Sequence, residues 1–332
     1  NGDTDAKTRA AIKRRPPECL ITTPETLHVL ISQKDHADLF QTVQAVVIDE
    51  WHELVGNKRG VQVQLALEYI QSICPGSFRR WAVSATIGNL DVAAKILLGE
   101  NLPVHIVKAA IKKQIILHSV IPEEVEKYPW HGYLGIRMLD QVLPIIEAGQ
   151  TVLLFTNTRS QTEIWYQKII EVRPDWAGWI AMHHGSLDMT VRGWVENALH
   201  EGKLKLVVCT SSLDLGVDFR PVDRVIQVGS PKGVSRFMQR AGRASHQPGL
   251  PSEIFFVPTN SLELIEAAAL RDAIDKEEME SQYPPVLAYD VLIQFLVTLA
   301  VGVGFHEEAI YQVVKKCHSY KDLSVAEMSW II

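Results

Sequence analysis

The segment VVIDEWHELVG, residues 46–56, is a short apolar run that stops at two adjacent carboxylates. Val46, Val47 and Ile48 have the composition of a buried strand, and Asp49 and Glu50 follow at its end. Ligands of open parallel sheets bind beyond the carboxyl ends of the strands, where one carboxylate can hold Mg²⁺ and a neighbour can orient or deprotonate a water. The pattern predicts a metal-and-base pair on a parallel sheet. A solvated strand end is the alternative that this segment alone leaves open.

Similar apolar runs alternate with amphipathic stretches on both sides of this segment. In the first part of the chain, strands are predicted at 19–22, 44–48, 81–84 and 104–107, with helices at 24–33, 58–73 and 90–98. After a looser segment, 108–130, the rhythm restarts with strands at 151–155, 178–182, 206–209, 224–228 and 253–257, and helices at 132–148, 159–172, 188–201 and 232–243. This alternation predicts two parallel α/β domains whose sheets are covered by helices.

The last part of the chain predicts helices alone. An acidic helix at 260–280 precedes a stretch in which apolar residues recur with the i, i+4 spacing of a core helix: Leu287, Val291, Phe295 and Leu299. Two shorter helical patterns follow, at 306–318 and 322–331. We therefore divide the chain into a first domain at 1–107, a second at 108–260, and a linker helix with a helical domain at 261–332.

Size, charge and cysteine content narrow the class of protein. With 332 residues, the chain exceeds the size at which a single core keeps growing. Its net charge of −6 excludes a polycation, so any nucleic-acid surface must be a local groove. Four widely spaced cysteines without a CxxC pair indicate reduced thiols in the cytosol. The apolar segment 286–305 contains Asp290 and Gln294, which argues against a membrane span.

Two further strand ends carry hydroxyl residues. SATIGN (84–89) places small hydroxyl side chains where they can bond a neighbouring loop; the alternative is a plain helix start capped by Thr86 or Asn89. TTPETL (22–27) opens a helix whose exposed amides suit a phosphate; its alternative is a plain capping box. Neither segment decides between its two interpretations by itself.

The segment QRAGRASH (239–246) contains the most specific basic pattern. Arg240 and Arg243 are three residues apart on a predicted helix, so both can face one way. Guanidinium groups grip phosphate oxygens with a rigid fork, so the pair resembles a clamp for a γ-phosphate. A solvated basic helix face is the alternative.

The segment CTSSLDLGVDF (209–219) follows another predicted strand. It offers hydroxyl groups, then Asp214, Gly216 and Asp218. An aspartate beside a glycine, which permits close approach, can bond a ribose hydroxyl or hold one of the arginines. The residues leave both possibilities open.

Taken in chain order, these segments resemble the motifs of superfamily 2 helicases. DEWH resembles motif II, SATIGN motif III, TTPETL motif Ib, FTNTRS (155–160) motif IV, CTSSLDLGVDF motif V and QRAGRASH motif VI. With HHGSL (183–187), they are most similar to the large helicase-related (Lhr) family, and within it to DNA-ligase-associated DEXH-box proteins. The resemblance covers about residues 1–260. It implies two RecA-like domains in tandem, the first lacking its N-terminal part, followed by the start of a winged-helix domain.

The resemblance also implies roles for particular residues. Asp49 is expected to hold Mg²⁺ with ATP, and Glu50 to be the base for the attacking water. Coupling between the nucleotide and nucleic-acid sites is expected of four residues: His52, Ser84, Thr86 and Gln239. From the second domain, Gly216 and Asp218 are expected to meet the nucleotide, and Arg240 and Arg243 to supply charge to the γ-phosphate. The groove over the nucleic-acid backbone is expected to comprise Thr23, Pro24, Thr156, His184, Gly185 and Thr210.

Two features depart from the motif pattern of superfamily 2. The phosphate loop GxxxxGKS/T occurs nowhere in the chain. We expect it to precede Asn1, which makes the chain an internal fragment; the first methionine being Met138 agrees with this. His246 occupies the place where many superfamily 2 proteins have a third arginine, so it receives no finger role. The pair His183-His184 has no cysteine or third ligand at a spacing suited to a metal, so it is not predicted to be a metal site.

The function implied is that of an ATP-dependent DNA helicase or translocase, in which ATP binds between the two α/β domains. The resemblance further implies 3′-to-5′ movement, a role in DNA repair, a cytoplasmic location, and association with a DNA ligase and a nuclease. One alternative is a translocase that moves along duplex DNA without separating strands. Another is a nucleic-acid-binding scaffold with an inactive motor, which an upstream segment lacking the phosphate loop would favour.

Overall fold

The computed structural model describes residues 17–85, 87–99, 103–108, 114–121, 135–214, 217, 219–244 and 251–332. The described residues form two compact units. Unit 1 combines the chain up to Val107 with Ser281–Ile332, and unit 2 runs from Lys108 to Glu280. Each unit has its own hydrophobic core.

Unit 1 begins with a small parallel sheet and its helices. Its strands are β1 (Ala45–Ile48) and β2 (Arg79–Ala82). They pair in parallel from Ala45 opposite Arg79 to Ile48 opposite Ala82. The helices are α1 (Pro24–Ile31), α2 (His36–Phe40), α3 (Trp51–Leu54), α4 (Lys58–Ile73) and α5 (Leu90–Leu98).

Unit 2 is built on a six-stranded parallel sheet. Its strands are β3 (Ile115–Ser119), β4 (Val152–Phe155), β5 (Ile180–His183), β6 (Leu206–Cys209), β7 (Arg224–Val228) and β8 (Ser252–Val257). They lie in the order β3-β8-β7-β4-β6-β5, and every pairing is parallel. The helices are α6 (Leu139–Ala148), α7 (Arg159–Val172), α8 (Met189–His200), α9 (Val234–Ala241) and α10 (Leu262–Asp275). Short 3₁₀ turns lie at Ile136–Met138, Pro174–Trp176 and Ser211–Leu213.

All residues of β4 and β6 are buried, as expected for central parallel strands covered on both faces. One core fills each face of this sheet. The sheet therefore brings the carboxyl ends of β4, β5 and β6 to one edge of unit 2.

The C-terminal helices pack onto unit 1. They are α11 (Tyr289–Val301), α12 (Glu307–Val314) and α13 (Val325–Ile331), with a 3₁₀ turn at His318–Tyr320. Phe295 and Leu299 of α11 share one core with residues of α4 such as Leu65. The side-chain amide of Gln64 also exchanges two 3.1 Å hydrogen bonds with Ser319, inside that core. No helix in the described part of the chain is long and apolar enough to cross a membrane.

Three predictions about the elements were wrong. Residues 19–22 and 104–107 are not strands, because no other strand in the described part of unit 1 pairs with them. A β-strand requires a second strand with which to form hydrogen bonds, and an apolar run in the sequence does not identify that second strand. The supposed linker 108–130 contains β3, which adds an edge strand beside β8.

The C-terminal part of the chain is divided between the two compact units. Helix α10 packs within unit 2, whereas residues 281–332 belong to the compact unit formed by the start of the chain. The predicted boundaries of the three pieces stay predictions.

Candidate nucleotide and nucleic-acid sites

The acid pair lies where β1 ends, on a firmly anchored turn. Asp49 is exposed and Glu50 half-buried, and Asp49 Oδ1 accepts a 2.9 Å hydrogen bond from the Glu50 amide. Trp51 fixes the turn: its amide donates to Val83 O at 3.0 Å, and its indole Nε1 donates to Ala93 O at 2.8 Å. The two carboxylates therefore lie at the end of β1, on a turn that the Trp51 hydrogen bonds hold in place.

Glu50 has a left-handed backbone conformation, with φ 50° and ψ 44°. This region is costly for residues other than glycine and is retained where surrounding structure imposes it, often at functional sites. The turn places Glu50 directly before helix α3, so its side chain does not continue the line of the strand.

His52 joins the end of β1 to the segment after β2. Its ring is 7% exposed. Its Nδ1 accepts a 3.1 Å hydrogen bond from the Ala85 amide and lies 3.3 Å from Ser84 Oγ. Because an amide is an obligate donor, Nδ1 must be the unprotonated ring nitrogen. Glu50 Oε2 lies 3.5 Å from the same Nδ1. One imidazole nitrogen therefore lies near both the acid pair and the SATIGN segment.

The TTPETL segment begins helix α1 with an ordinary side-chain cap. Thr23 is the N-cap residue, and its Oγ1 accepts a 3.3 Å hydrogen bond from the Thr26 amide. Pro24 occupies the first turn, where the missing amide hydrogen costs nothing. The capping interpretation describes the Thr23 side chain in this structure, and its contact with nucleic acid stays a prediction.

In unit 2, the predicted groove residues differ in accessibility. Thr156 is fully buried, with Oγ1 lying 2.7 Å from Thr162 Oγ1, and His184 is 2% exposed. Gly185 is exposed, with no atom within 4 Å of the place that a side-chain Cβ would take, and Thr210 is half-buried. Of these four residues, Gly185 and Thr210 are the accessible ones. Thr156 and His184 are buried.

A histidine, serine and glutamate form a chain that sequence reasoning missed. His183 Nδ1 lies 2.7 Å from Ser212 Oγ, and its Nε2 lies 3.0 Å from Glu196 Oε1. Burial lowers the pKa of His183, an effect partly offset by the bond to Glu196, so the ring is neutral near pH 7. Neutral His183 donates to the carboxylate from Nε2 and accepts the Ser212 hydroxyl at Nδ1, which fixes the residue two positions after Thr210. The HHGSL segment signalled a groove histidine but gave no indication of its partners.

Arg240 is buried and fully engaged within unit 2. Its Nε and Nη2 donate to the two carboxylate oxygens of Asp214 at 2.8 and 3.0 Å, and its Nη1 donates to Gln227 Oε1 at 2.5 Å. The guanidinium also lies 4.7 Å from the Phe155 ring centre, and the residue is 2% exposed. The contact of Arg240 with a phosphate stays a prediction.

Arg243 lies outside the helix that carries Arg240. Helix α9 ends at Ala241, and its C-cap Gly242 keeps a right-handed helical conformation. The Arg243 amide donates to Arg240 O at 3.0 Å, so one further turn carries Arg243. Arg243 donates to the backbone carbonyls of Asp214, from Nη2 at 2.7 Å, and Val217, from Nη1 at 3.1 Å. The two arginines nevertheless converge on one residue, because Arg240 binds the Asp214 carboxylate and Arg243 binds the Asp214 backbone carbonyl.

Several predicted site residues lie outside the described residues: Thr86, Gly216, Asp218 and His246. Gln239 lies half-buried in α9, beside Arg240. Of the two possibilities for CTSSLDLGVDF, Asp214 realises the second, since it holds an arginine.

Family models match three successive parts of the chain. They describe the DEAD/DEAH box helicase (residues 1–93), the helicase conserved C-terminal domain (135–246), and the winged-helix domain of large helicase-related protein (272–332). Parallel α/β units with these sequence matches define the superfamily 2 helicase class.

Curated proteins and a solved structure specify the family. The ATP-dependent helicase Lhr-Core of Methanocaldococcus jannaschii is 34% identical over 97% of the chain, and the chain covers 38% of that protein. The Lhr helicase/uracil glycosylase of Escherichia coli is 31% identical over 97% of the chain, which covers 24% of it. The structure of Mycobacterium smegmatis helicase Lhr bound to ssDNA and AMP-PNP superposes with a TM-score of 0.89, at 29% identity, over 99% of the chain and 43% of that protein.

The chain belongs to the Lhr-type superfamily 2 helicases. It spans less than half the length of the relatives named above. The more specific similarity to DNA-ligase-associated proteins stays a prediction.

Proposed function

We propose that the full-length gene product is an ATP-dependent DNA helicase or translocase, to which this chain contributes parts of the motor. The observation that carries the proposal is the His52 contact in unit 1. One buried imidazole nitrogen lies within 3.5 Å of Glu50 Oε2, Ser84 Oγ and the Ala85 amide nitrogen. This contact connects the acid pair at the end of β1 with the hydroxyl segment at the end of β2. A motor needs such a connection so that ATP hydrolysis at one site changes nucleic-acid binding at another.

The acid pair suits Mg²⁺ brought by a nucleotide. Mg²⁺ is usually held by one or two carboxylates together with substrate phosphates. Within the described residues no cluster of three or more His, Cys, Asp or Glu side chains could hold a metal alone. The exposed Asp49 carboxylate meets the first requirement, since the phosphates supply the remaining ligands. Mg²⁺ bound with ATP supplies charge neutralisation to the transferring phosphoryl group.

Glu50 is proposed as the base that orients and deprotonates the attacking water. Its side chain is half-buried and lies beside the His52 ring rather than in a salt bridge to an arginine or lysine among the described residues. Because His52 Nδ1 accepts from the Ala85 amide, that nitrogen donates no hydrogen bond to the Glu50 carboxylate. His52 and Ser84, with Thr86, are proposed to pass the state of the nucleotide to the nucleic-acid grip.

In unit 2, we propose a division of labour between the two arginines. Arg243 is the candidate to supply charge to the γ-phosphate, because its guanidinium is held in place by the backbone carbonyls of Asp214 and Val217. Arg240 is a positioning residue, because a bidentate bond to Asp214 already satisfies its fork. Gly216 and Asp218 are proposed to meet the nucleotide next to Arg243, and Gln239 to take part in coupling.

DNA is proposed to lie over the strand ends that carry Thr23, Pro24, Gly185 and Thr210. Exposed amides and hydroxyls at such ends bind phosphates without reading bases. Thr156 and His184 are proposed to support this edge from within. The homologous structure containing ssDNA and AMP-PNP supports both ligands for the family.

The finer assignments rest on the family resemblance. We propose 3′-to-5′ movement and a role in DNA repair on that basis; a DNA ligase and a nuclease as partners are expectations of the same kind. A cytoplasmic location is proposed because all four cysteines are free thiols.

The test is strand displacement by the full-length protein with ATP, on duplexes carrying a 3′ or a 5′ single-stranded tail. We expect DNA-stimulated ATP hydrolysis and displacement of the 3′-tailed duplex. Hydrolysis without displacement of either duplex would favour the duplex translocase. DNA binding without hydrolysis would support the scaffold with an inactive motor and contradict the proposal.

A further inference from the structure

Residues Glu280, Ser281 and Gln282 form one of the two places where the chain crosses between the units, the other being Val107 to Lys108. The residues at both ends of this segment are anchored. Unit 2 ends at Glu280, and unit 1 resumes at Ser281. We call these three residues the strap. Ser281 is exposed, whereas Glu280 and Gln282 are partly buried against their own units.

The Glu280 carboxylate covers the start of helix α9. It accepts hydrogen bonds from the Val234 amide, from the Ser235 amide at 3.1 Å, and from Ser235 Oγ at 3.0 Å. Burial pulls the pKa of Glu280 up, but these hydrogen bonds outweigh it, so the pKa lies below its ordinary value. Gly233 precedes the helix with φ 137°, and a side chain there would approach Glu280 Oε1 to 3.1 Å. The start of α9 is thus shaped around this carboxylate.

The backbone of Gln282 is held by a side chain in the SATIGN segment. Asn89 Nδ2 donates to Gln282 O at 2.8 Å, and the Gln282 amide donates to Asn89 Oδ1 at 2.8 Å. This reciprocal pair imitates the bonding of a neighbouring strand. The Gln282 side chain also covers Gly56, the last residue of VVIDEWHELVG, where a Cβ would collide with its Oε1.

The Asn89 side chain makes this contact instead of capping its own helix. It is the N-cap residue of α5, a position where asparagine usually accepts from the first amides of the helix. No such side-chain bond is present, because both polar ends of Asn89 are used on Gln282. A cap is typically worth about 1 kcal/mol to a helix. The contact with a residue 193 positions away in sequence takes its place.

We propose that the strap is a mechanical coupler that passes movement between the segment ending at Asn89 in unit 1 and the helix of Arg240 in unit 2. Two residue steps span at most about 7 Å, so a displacement of one anchor reaches the other with little slack. The inference deepens the proposed function and rests on it for its motor role. Coupling between the anchors is a physical property that can be measured without ATP.

The first experiment measures that coupling by amide hydrogen exchange in the 332-residue chain. Asn89→Asp keeps the shape and the capping ability of the side chain, removes the donor to Gln282 O, and sets an anionic oxygen against that carbonyl. We expect the Val234 and Ser235 amides, in the other unit, to exchange at least about threefold faster. The matched control is Gln71→Glu, which removes an equivalent 3.0 Å bond to Gly76 O elsewhere in unit 1.

If Asn89→Asp changes these two amides no more than Gln71→Glu does, the strap is not a coupler. This outcome is independent of any enzymatic activity. Melting temperatures of both variants establish that the chain remains folded.

The second experiment slackens the strap in the full-length protein. A Gly-Ser-Gly insertion after Ser281 keeps both anchors, and the same insertion after Gly202, in an open turn, is the control. We expect ATP hydrolysis with DNA to stay within about twofold while DNA movement per ATP falls about fivefold or more for the strap insertion alone. Unchanged movement per ATP would overturn the coupler with the motor intact. An inactive wild-type protein would instead refute the proposed function, and the exchange experiment would still decide the strap.

Discussion

Arg240 and Arg243 illustrate what a three-residue spacing predicts about side-chain direction and what it leaves out about side-chain contacts. Both arginines belong to one segment, and on a continuous helix they would share a face. Both guanidinium groups reach Asp214, but Arg240 is buried and binds its carboxylate, whereas Arg243 binds the backbone carbonyls of Asp214 and Val217. The convergence of the two side chains was therefore predictable from their spacing. The partner Asp214 was also predictable as an arginine holder, whereas Gln227 was not, because it lies on a different strand.

A stability measurement tests the positioning role of Arg240. Asp214→Ala leaves the buried guanidinium without its bidentate partner, which typically costs about 3–5 kcal/mol. We expect urea unfolding followed by tryptophan fluorescence to show a loss of that size. Arg236→Ala is the control, because Arg236 lies 3.7 Å from the same carboxylate but is 36% exposed, and we expect less than about 1 kcal/mol. Equal losses for the two variants would mean that the buried pair is not a structural anchor.

At the scale of elements, helices were easier to predict than strands because their signals are local. Thr23, Thr158, Asp188 and Ser324 each cap a predicted helix with their own side chain. A strand needs a partner, and sequence periodicity does not name one. That is why Cys19-Leu20-Ile21-Thr22 was wrongly predicted as a strand and Ile115–Ser119 was missed.

Helix α13 provides a pH-dependent prediction. Hydrogen bonds from Ser324 Oγ and Tyr289 Oη, each 2.6 Å, together with the Ser324 amide, lower the pKa of Glu327 to about 2. Because this folded-state pKa lies below the ordinary value of 4.5, the contribution of Glu327 to stability is fully present above pH 4.5 and is lost as the pH falls towards 2. Glu327→Gln should therefore lower the melting temperature near pH 7, and the difference from wild type should shrink below about pH 4.5.

The matched control for this helix is Glu308→Gln, on the exposed face of α12. We expect its melting temperature to follow wild type throughout. A Glu327→Gln deficit that stays constant from neutral to acid pH would show that the carboxylate charge does not stabilise the helix end.

At the scale of the whole molecule, contacts between residues distant in sequence decide which segments pack together. Gln64 with Ser319, Lys58 with Asp290, and Asn89 with Gln282 join the beginning of the chain to its last fifty or so residues. Each is an ordinary polar pair, and no sequence pattern predicts that its two residues are in contact. The two α/β units were predictable because each repeats a local rhythm, and the acid pair was predictable because it interrupts that rhythm.

The central claim is that Glu50 is the hydrolytic base of a DNA-stimulated ATPase. The most direct measurement is steady-state ATP hydrolysis by full-length wild-type and Glu50→Gln proteins with saturating DNA, alongside ATP binding. The substitution keeps the shape and removes the base, so turnover should fall on the order of 10²-fold or more while ATP binding persists. The exposed Glu308→Gln variant is the control and should hydrolyse ATP like wild type. Hydrolysis by Glu50→Gln near the wild-type rate would contradict the account.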